Sequence, residues 1–287
     1  MSGDEARCAA VILTVDQRDL TLRCLGSLRE PQGVGLHVLV WDNGSSDGTA
    51  EAVRGQFPEV HVHAHPTNLG VASGRNAAAD RAVRLFSPTH LLFLDNDLIL
   101  APGFAGALLE PFVNDPSLAQ TQAKLLFSHD RRRLNDGGGC RIQFWLGRTT
   151  PVGYGEVDRG QYDRPGPCIA GGGAMMVRAA VFRQLHGFDE TFGPFGPEDL
   201  DFSLRVHEAG YYAQYVPAAV AYHTPGHTRP VGYGPAVRVR HWREFSRRHA
   251  GPAQRLGFLL VGAPLMYART LLALWLRDRR AARNGQE

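Results

Sequence analysis

Two carboxylates at the end of an apolar run are the first residues in this chain that could do chemistry. From Leu91 onward a hydrophobic strand pattern stops at Asp95, Asn96 and Asp97 before Leu98 and Ile99. Acidic side chains two residues apart at the exit of a buried strand can share a hard divalent cation with a diphosphate, because the cation offsets both negative partners. An Asp-rich turn is the plainer reading of the same residues. A second polar segment, Asp42-Asn43-Gly44-Ser45-Ser46-Asp47-Gly48-Thr49, follows one strand pattern and precedes a helical one. Ser46 or Asp47 suits a helix cap, whereas Asp42, directly at the strand end, suits a hydrogen bond from a base N–H or a ribose hydroxyl.

A third segment, Asn68 to Asn76, is a small-residue loop entering a helix and carries Gly70, Gly74 and Arg75. Glycine lets backbone approach a phosphate, and helix-terminal N–H groups with one guanidinium suit a diphosphate, although such a helix entry is structural just as often. Further on, Gly171-Gly172-Gly173 precedes Glu198, Asp199 and Asp201. A carboxylate can serve as a general base, and three acids also suit the first turn of a helix, whose dipole favours them. His223 closes a strand pattern and His227 follows it. Either is a loop residue or, as neutral imidazole, a group able to ligate a metal.

The elements that must position these residues alternate. Strand patterns at Ala9 to Val15, Leu36 to Trp41, Val60 to Ala64 and His90 to Leu94 are followed by helical spacing at Leu20 to Leu28, Thr49 to Phe57, Gly74 to Phe86 and Pro102 to Asn114. Repeated strand–helix units predict a mostly parallel sheet with helices on both faces, since parallel neighbours need crossover connections. Ligands bind outside the carboxyl ends of such strands, so the loops beginning at Asp16, Asp42, His65 and Asp95 should line one crevice. After Gln120 the pattern becomes irregular, and a Gly/Arg-rich stretch from Asp130 to Gly166 reads as a long loop with an edge strand at Ile142 to Leu146. Regularity returns with a strand at Ala174 to Val177, helices at Ala179 to Leu185 and Asp199 to Ala209, and a strand pair between Tyr212 and Tyr222.

These motifs in this order resemble the family 2 glycosyltransferases of the GT-A fold, rhamnosyltransferase-like inverting enzymes, over roughly Ala9 to His223. The resemblance implies an α/β, Rossmann-like GT-A fold and transfer of a sugar, hexosyl or deoxyhexosyl, from a nucleotide diphosphate sugar to an acceptor hydroxyl with inversion. It implies that Asp42 contacts the base and that Arg75 lies near the base or diphosphate. Asp95 then reaches ribose or metal, Asp97 binds manganese or magnesium with His223, and Asp199 is the base. Thr14, Asp16, Asn68, Gly70, Asn76 and Asn96 complete the donor side, and Gly172, Gly173, Glu198 and Asp201 the acceptor side. Many relatives carry Tyr-Asn where this chain has Val15-Asp16. The expected division is 1–115 for the nucleotide-sugar half, 116–227 for the acceptor half of the same domain, and 228–287 for a basic, apolar helical segment.

Composition agrees with a folded enzyme. Of 287 residues 44% are hydrophobic and 21% charged, enough apolar material for a sizeable core. Four dispersed cysteines without CxxC spacing indicate neither a zinc site nor a disulfide framework, so a reducing cytosol is expected, and no secretion signal is read at the start. Net charge is +3, yet from Thr228 onward twelve Arg face Glu244, Asp278 and Glu287, a balance of +9 that leaves −6 before it. Clustered guanidinium groups suit nucleic acid, anionic lipid or a phosphorylated acceptor. The expectation is no nucleic acid partner, but a saccharide or lipid-linked acceptor and cell-surface polysaccharide or glycolipid assembly. Leu256 to Leu276 is apolar, is interrupted by Pro264 and Arg269, and is followed by Arg277, Arg279, Arg280 and Arg283. Peripheral contact with the inner face of the plasma membrane is one expectation; helices packed on the catalytic domain, or on another subunit in a homodimer, are the other.

Two competing classes leave marks of their own. A sugar nucleotidyltransferase calls for a Gly-rich basic first loop, and Thr14 to Leu20 holds no glycine and only Arg18. A non-catalytic nucleotide-sugar-binding protein calls for loss of Asp97 or Asp199, and both are present.

Overall fold

The structure, a computed structural model, describes residues 6–226 and 234–272. Expectations placed on His227 and on Arg277, Arg279, Arg280 and Arg283 lie outside the described residues. The first half consists of β1 (Cys8–Thr14), α1 (Arg18–Leu28), β2 (Leu36–Asp42), α2 (Thr49–Gln56), β3 (His61–Ala64), α3 (Val71–Phe86) and β4 (His90–Asp95). All neighbouring strands in it pair in parallel, in the order β3-β2-β1-β4. Alternate residues of each strand enter opposite cores. Ala10, Ile12, Leu92 and Leu94 pack with Cys24 and Leu25 of α1, while Ala9, Val11, Leu91 and Phe93 pack with Ala78 and Ala79 of α3.

Then follow β5 (Leu98–Leu100), α4 (Phe104–Leu109), β6 (Leu118–Phe127), β7 (Leu134–Asp136), β8 (Cys140–Gln143), β9 (Arg148–Pro151), β10 (Gly166–Pro167), β11 (Ala174–Arg178), α5 (Ala179–Gln184), α6 (Glu198–Glu208) and β12 (Tyr212–His223). The sheet continues beyond β4 through β11, β6, β12 and β10. β11 runs antiparallel to both β4 and β6, and β12 is parallel to β6. Helices on both faces of the sheet are therefore as expected, but the sheet is mixed and not mostly parallel: among its described strands four pairings are parallel and five antiparallel, because the second half adds β5, β7, β10 and β11 in the reverse direction.

Three local expectations are corrected. The stretch after Gln120 is not irregular: β6 is a ten-residue strand, buried throughout. Its Gln120, Thr121, Gln122 and Lys124 disguise it, since a strand with both faces covered normally reads as an apolar run. Lys124 is accommodated by ion pairs to Asp158 at 2.5 Å and Asp163 at 2.6 Å, which tie the long loop back to the sheet. The segment Ile142 to Leu146 is not an edge strand of the main sheet but belongs to a separate β8–β9 hairpin and its short 3-10 turn. Tyr212 to Tyr222 is not a strand pair; β12 is one strand whose register shifts between Val216 and Val220, around Pro217, which has no N–H to give a ladder.

The chain ends its described part with α7 (Pro235–His249) and α8 (Pro252–Leu272). Pro264 does not break α8. A π-helical stretch at Phe258–Gly262 precedes it, the turn in which the missing N–H and the ring are accommodated. Trp242 and Phe245 of α7 and Phe258 and Met266 of α8 join Phe192 and Leu200 in a third core, so both helices pack against α6 and the segment before it.

Candidate active site

Register brings the polar strand ends together. Thr14 is level with Asp42, and Leu13 with Asp95, so the loops after β1, β2 and β4 open at one height. They form one wall of a cleft of about 840 Å³, whose opposite wall is Gly171 to Gly173, Phe195, Glu198 and Asp199. That volume suits a ligand as large as a nucleotide sugar.

On the first wall the loops are laced to one another. Asp16 takes hydrogen bonds from the Ser46 N–H at 2.7 Å and its hydroxyl at 3.1 Å, so Ser46 serves the neighbouring loop and not the helix. Asp47 accepts from the Thr49 N–H at 3.1 Å and from the Arg18 N–H at 3.0 Å, so it ties the start of α2 to the start of α1, while the N-cap position itself is Gly48. Asn68 accepts from the Gly70 N–H at 2.8 Å and from Asn43 at 2.9 Å. Gly70 has φ +84°, and a Cβ there would stand 2.9 Å from Pro194, so glycine is needed where this loop meets the opposite wall. Asn96 lies between the Thr14 and Thr21 hydroxyls, 3.1 Å from each.

At the cleft floor Asp95, Asp97 and His223 offer ligand atoms that all lie within 4.8 Å of one another. Asp97 Oδ1 is buried and has no hydrogen-bond partner among the described residues, and its Oδ2 is 3.3 Å from His223 Nε2. Two carboxylates, one imidazole and an orphaned buried oxygen fit a hard or borderline divalent cation. His223 Nδ1 meets Asn135 Oδ1 at 2.9 Å, an acceptor that holds a proton on Nδ1, so Nε2 can donate to Asp97 when the ring is protonated or offer its lone pair to a cation. Burial disfavours charge on His223, but the hydrogen bond and charge of Asp97 outweigh it and raise its pKa.

Arg75 is buried between the walls, 2.6 Å from Asp95 and 3.5 Å from Glu198. Glu198 is pushed up by burial and by the adjacent Asp199 carboxylate. Burial raises Asp199 as well, against the pull of Arg75 and of a short hydrogen bond from the Gly172 N–H. A Cβ on Gly172 would stand 2.7 Å from Asp199 Oδ2, and one on Gly173 would stand 3.5 Å from Asp95 Oδ2. Two adjacent glycines thus separate the base candidate from the cation candidates.

Thr14, Asp16, Asn68, Gly70, Arg75, Asp95, Asn96, Asp97, Gly172, Gly173, Glu198, Asp199 and His223 all line the cleft. Three expected residues are not brought to it. Asp42 is 2% exposed and accepts from the Ser45 N–H at 2.8 Å, shaping its own loop. Asn76 binds the backbone of Phe188 through both ends of its amide, at 2.8 and 2.9 Å. Asp201 is fully buried outside the cleft, 2.7 Å from Arg205 and 2.9 Å from His249, and so pins α6 to α7. Conversely, Asn135, Asp136, Cys140 and Phe195 line the cleft without having been singled out. Asp136 is pushed up to about 6 by burial, and its Oδ1 holds the N–H groups of Gly138 and Gly139. An Asn-Asp pair immediately before three glycines was the available signal.

A family model described as "Glycosyltransferase like family 2" matches residues 6–244. The chain is similar to the N-acetylglucosaminyl-diphospho-decaprenol L-rhamnosyltransferase of Mycobacterium tuberculosis, at 27% identity over 237 residues, covering 76% of this chain and 75% of that enzyme. Among solved structures it resembles GalNAc-T7 with UDP, GalNAc and Mn2+, with a TM-score of 0.66 at 17% identity; the match covers 84% of this chain and 48% of that one, so the chain spans about half of its length. It also resembles the mannosyltransferase PcManGT from Pyrobaculum calidifontis in complex with GDP-Man and Mn2+, with a TM-score of 0.58 at 17% identity over 96% of this chain and 76% of that one. Both likenesses are of fold, and the fold is the GT-A architecture.

Proposed function

The chain belongs to glycosyltransferase-like family 2, and from that premise we propose that it is a metal-dependent inverting enzyme that passes a hexosyl or deoxyhexosyl unit from a nucleotide diphosphate sugar to an acceptor hydroxyl. The observation that carries this reading is the separation of two kinds of acid by Gly172 and Gly173: Asp95, with Asp97 and His223 behind it, on one side, and Asp199 on the other. Asp97, His223 and Asp95 would hold manganese or magnesium, whose chemistry is to neutralise the diphosphate of the donor.

The remaining steps belong to the chain. The cleft binds the donor along the loops after β1, β2 and β4, with Asn96, Asn68 and Gly70 supplying a polar, closely approached wall. Asp199 takes the proton of the acceptor hydroxyl as its oxygen bonds to the anomeric carbon. The bond from that carbon to the diphosphate breaks, and its electron pair leaves with the nucleoside diphosphate. A single displacement inverts the anomeric centre. Arg75, clamped by Asp95 and Glu198, keeps the acidic floor from repelling the departing group.

The named acceptor class of the mycobacterial relative, a diphospho-decaprenol glycolipid, supports a lipid-linked or saccharide acceptor on the cytoplasmic side, in cell-surface polysaccharide or glycolipid assembly. A thermal-shift panel of UDP, GDP and dTDP sugars, with and without manganese, tests the donor half of this reading. The expected result is stabilisation by one base class that strengthens with manganese, followed by release of nucleoside diphosphate when acceptor glycolipids are added. Stabilisation by no nucleotide sugar at all would remove the assignment.

A further inference from the structure

Beyond the cleft, α7 and α8 enclose a second pocket of about 680 Å³ lined by Arg240, Arg243, Arg247 and Arg255 over Phe258 and Leu259. Arg240, Arg243 and Arg247 recur at a spacing of three and four on α7 and so share one face. Among the described residues Glu244 is the single carboxylate in this lining, and it is already held by Arg247 at 2.7 Å and Arg248 at 2.8 Å. The pocket is therefore a cationic rim over an apolar floor.

The neighbouring surface of α8 is apolar. The helix runs 21 residues at a mean hydropathy of 1.2, yet only 17% of its apolar window is buried. Its inward side is settled: a Cβ on Gly147 would stand 2.6 Å from Phe258 and 2.7 Å from Met266, and one on Gly262 would stand 2.6 Å from Trp145 O. Opposite, Leu256, Leu260, Tyr267 and Leu271 repeat at intervals of four, seven and four and are 46% to 68% exposed. A helix fastened lengthwise to a folded domain cannot stand across a bilayer, but it can lie in the interface with its free side in the acyl region. The half-exposed Trp145 beside Gly257 suits the headgroup level.

We propose that α7 and α8 form a docking surface for an anionic bilayer, with a phospholipid phosphate seated in the Arg240–Arg243–Arg247–Arg255 pocket and the leucines of α8 in the acyl layer. The charge on the rim selects this occupant over a second copy of the chain, whose identical rim would repel it. Docking also orients the cleft, because His241 of α7 lies against Gly196, where a Cβ would be 3.0 Å from its Nδ1, two residues before Glu198. This inference deepens the lipid-linked acceptor reading but does not require it, since vesicle binding is measured without turnover.

The test is flotation of the full chain with vesicles of phosphatidylcholine alone or mixed with phosphatidylglycerol. The expected result is flotation on the mixed vesicles only, weakened roughly thirty-fold by Arg240→Gln with Arg243→Gln, two cations near a negative surface. Leu260→Ser with Leu271→Ser should weaken it as well, while both pairs keep the wild-type melting temperature and its shift with nucleotide sugar. No flotation on the mixed vesicles, or flotation indifferent to both pairs, overturns the proposal. So does a dimer that the leucine pair converts to monomer without any loss of flotation.

Discussion

His223 Nε2 lies 3.3 Å from Asp97 Oδ2, although one closes β12 and the other sits in the turn after β4. The cause is the short strand β5: it pairs antiparallel with β12 so that His223 is level with Leu98, and Thr224 N–H bonds Asp97 O at 3.1 Å. The cation candidates are thus held by a backbone ladder and not by side chains alone, which is the rigidity a metal site requires.

The tautomer of His223 gives the first prediction. Asn135→Ala removes the acceptor for Nδ1–H and should weaken manganese affinity by about tenfold or more, as losses of such supporting hydrogen bonds do. Asp97→Ala should abolish the manganese-dependent part of the thermal shift, which at a hundred-fold excess over Kd is worth about 2.7 kcal/mol. Titration of manganese followed by calorimetry reads both, and unchanged affinity in both variants would free His223 and Asp97 of the role.

Asp199→Asn should lower transfer by about 10²- to 10⁴-fold, the usual worth of a general base, while the melting shift caused by donor and manganese persists. Turnover near wild type would pass the role to another carboxylate, with Asp136 next in line.

Gly172→Ala probes the same centre without replacing a titratable group. Its Cβ would fall 2.7 Å from Asp199 Oδ2 and 3.3 Å from Arg75 Nη1, so the base must swing. An ångström of misplacement can cost on the order of a hundred-fold in rate. Single-turnover rates should therefore fall while donor affinity holds, and an unaltered rate would show that Asp199 has freedom to spare.

Glu198 supplies a pH prediction. Burial, then Asp199, raises its folded value to about 8. A raised value means that its contribution to stability is complete below the ordinary glutamate range and is lost as pH rises through the folded value. Glu198→Gln keeps the neutral shape and cannot ionise. Its melting temperature should gain on the wild type between pH 5 and pH 9, by on the order of a few degrees. A gap between the two proteins that stays constant with pH would show Glu198 ionised throughout.

The alternation of apolar strands and amphipathic helices was legible in the sequence, because each strand of the first half is short, bounded by polar loops and followed by a helical period. So were Asp95 and Asp97, as acids at a strand exit, whereas Asp199 and His223 stood out only through the family resemblance. Nothing local revealed β6, whose Gln120 and Lys124 find their partners in Met175, Asp158 and Asp163 far along the chain. Tertiary structure alone decided that Asp42 and Asn76 shape loops, that Asp201 clamps α7, and that Asn135 orients His223. A polar residue's type limits the bonds it can make, but which bond it makes depends on the neighbours that strand register brings within about 3 Å.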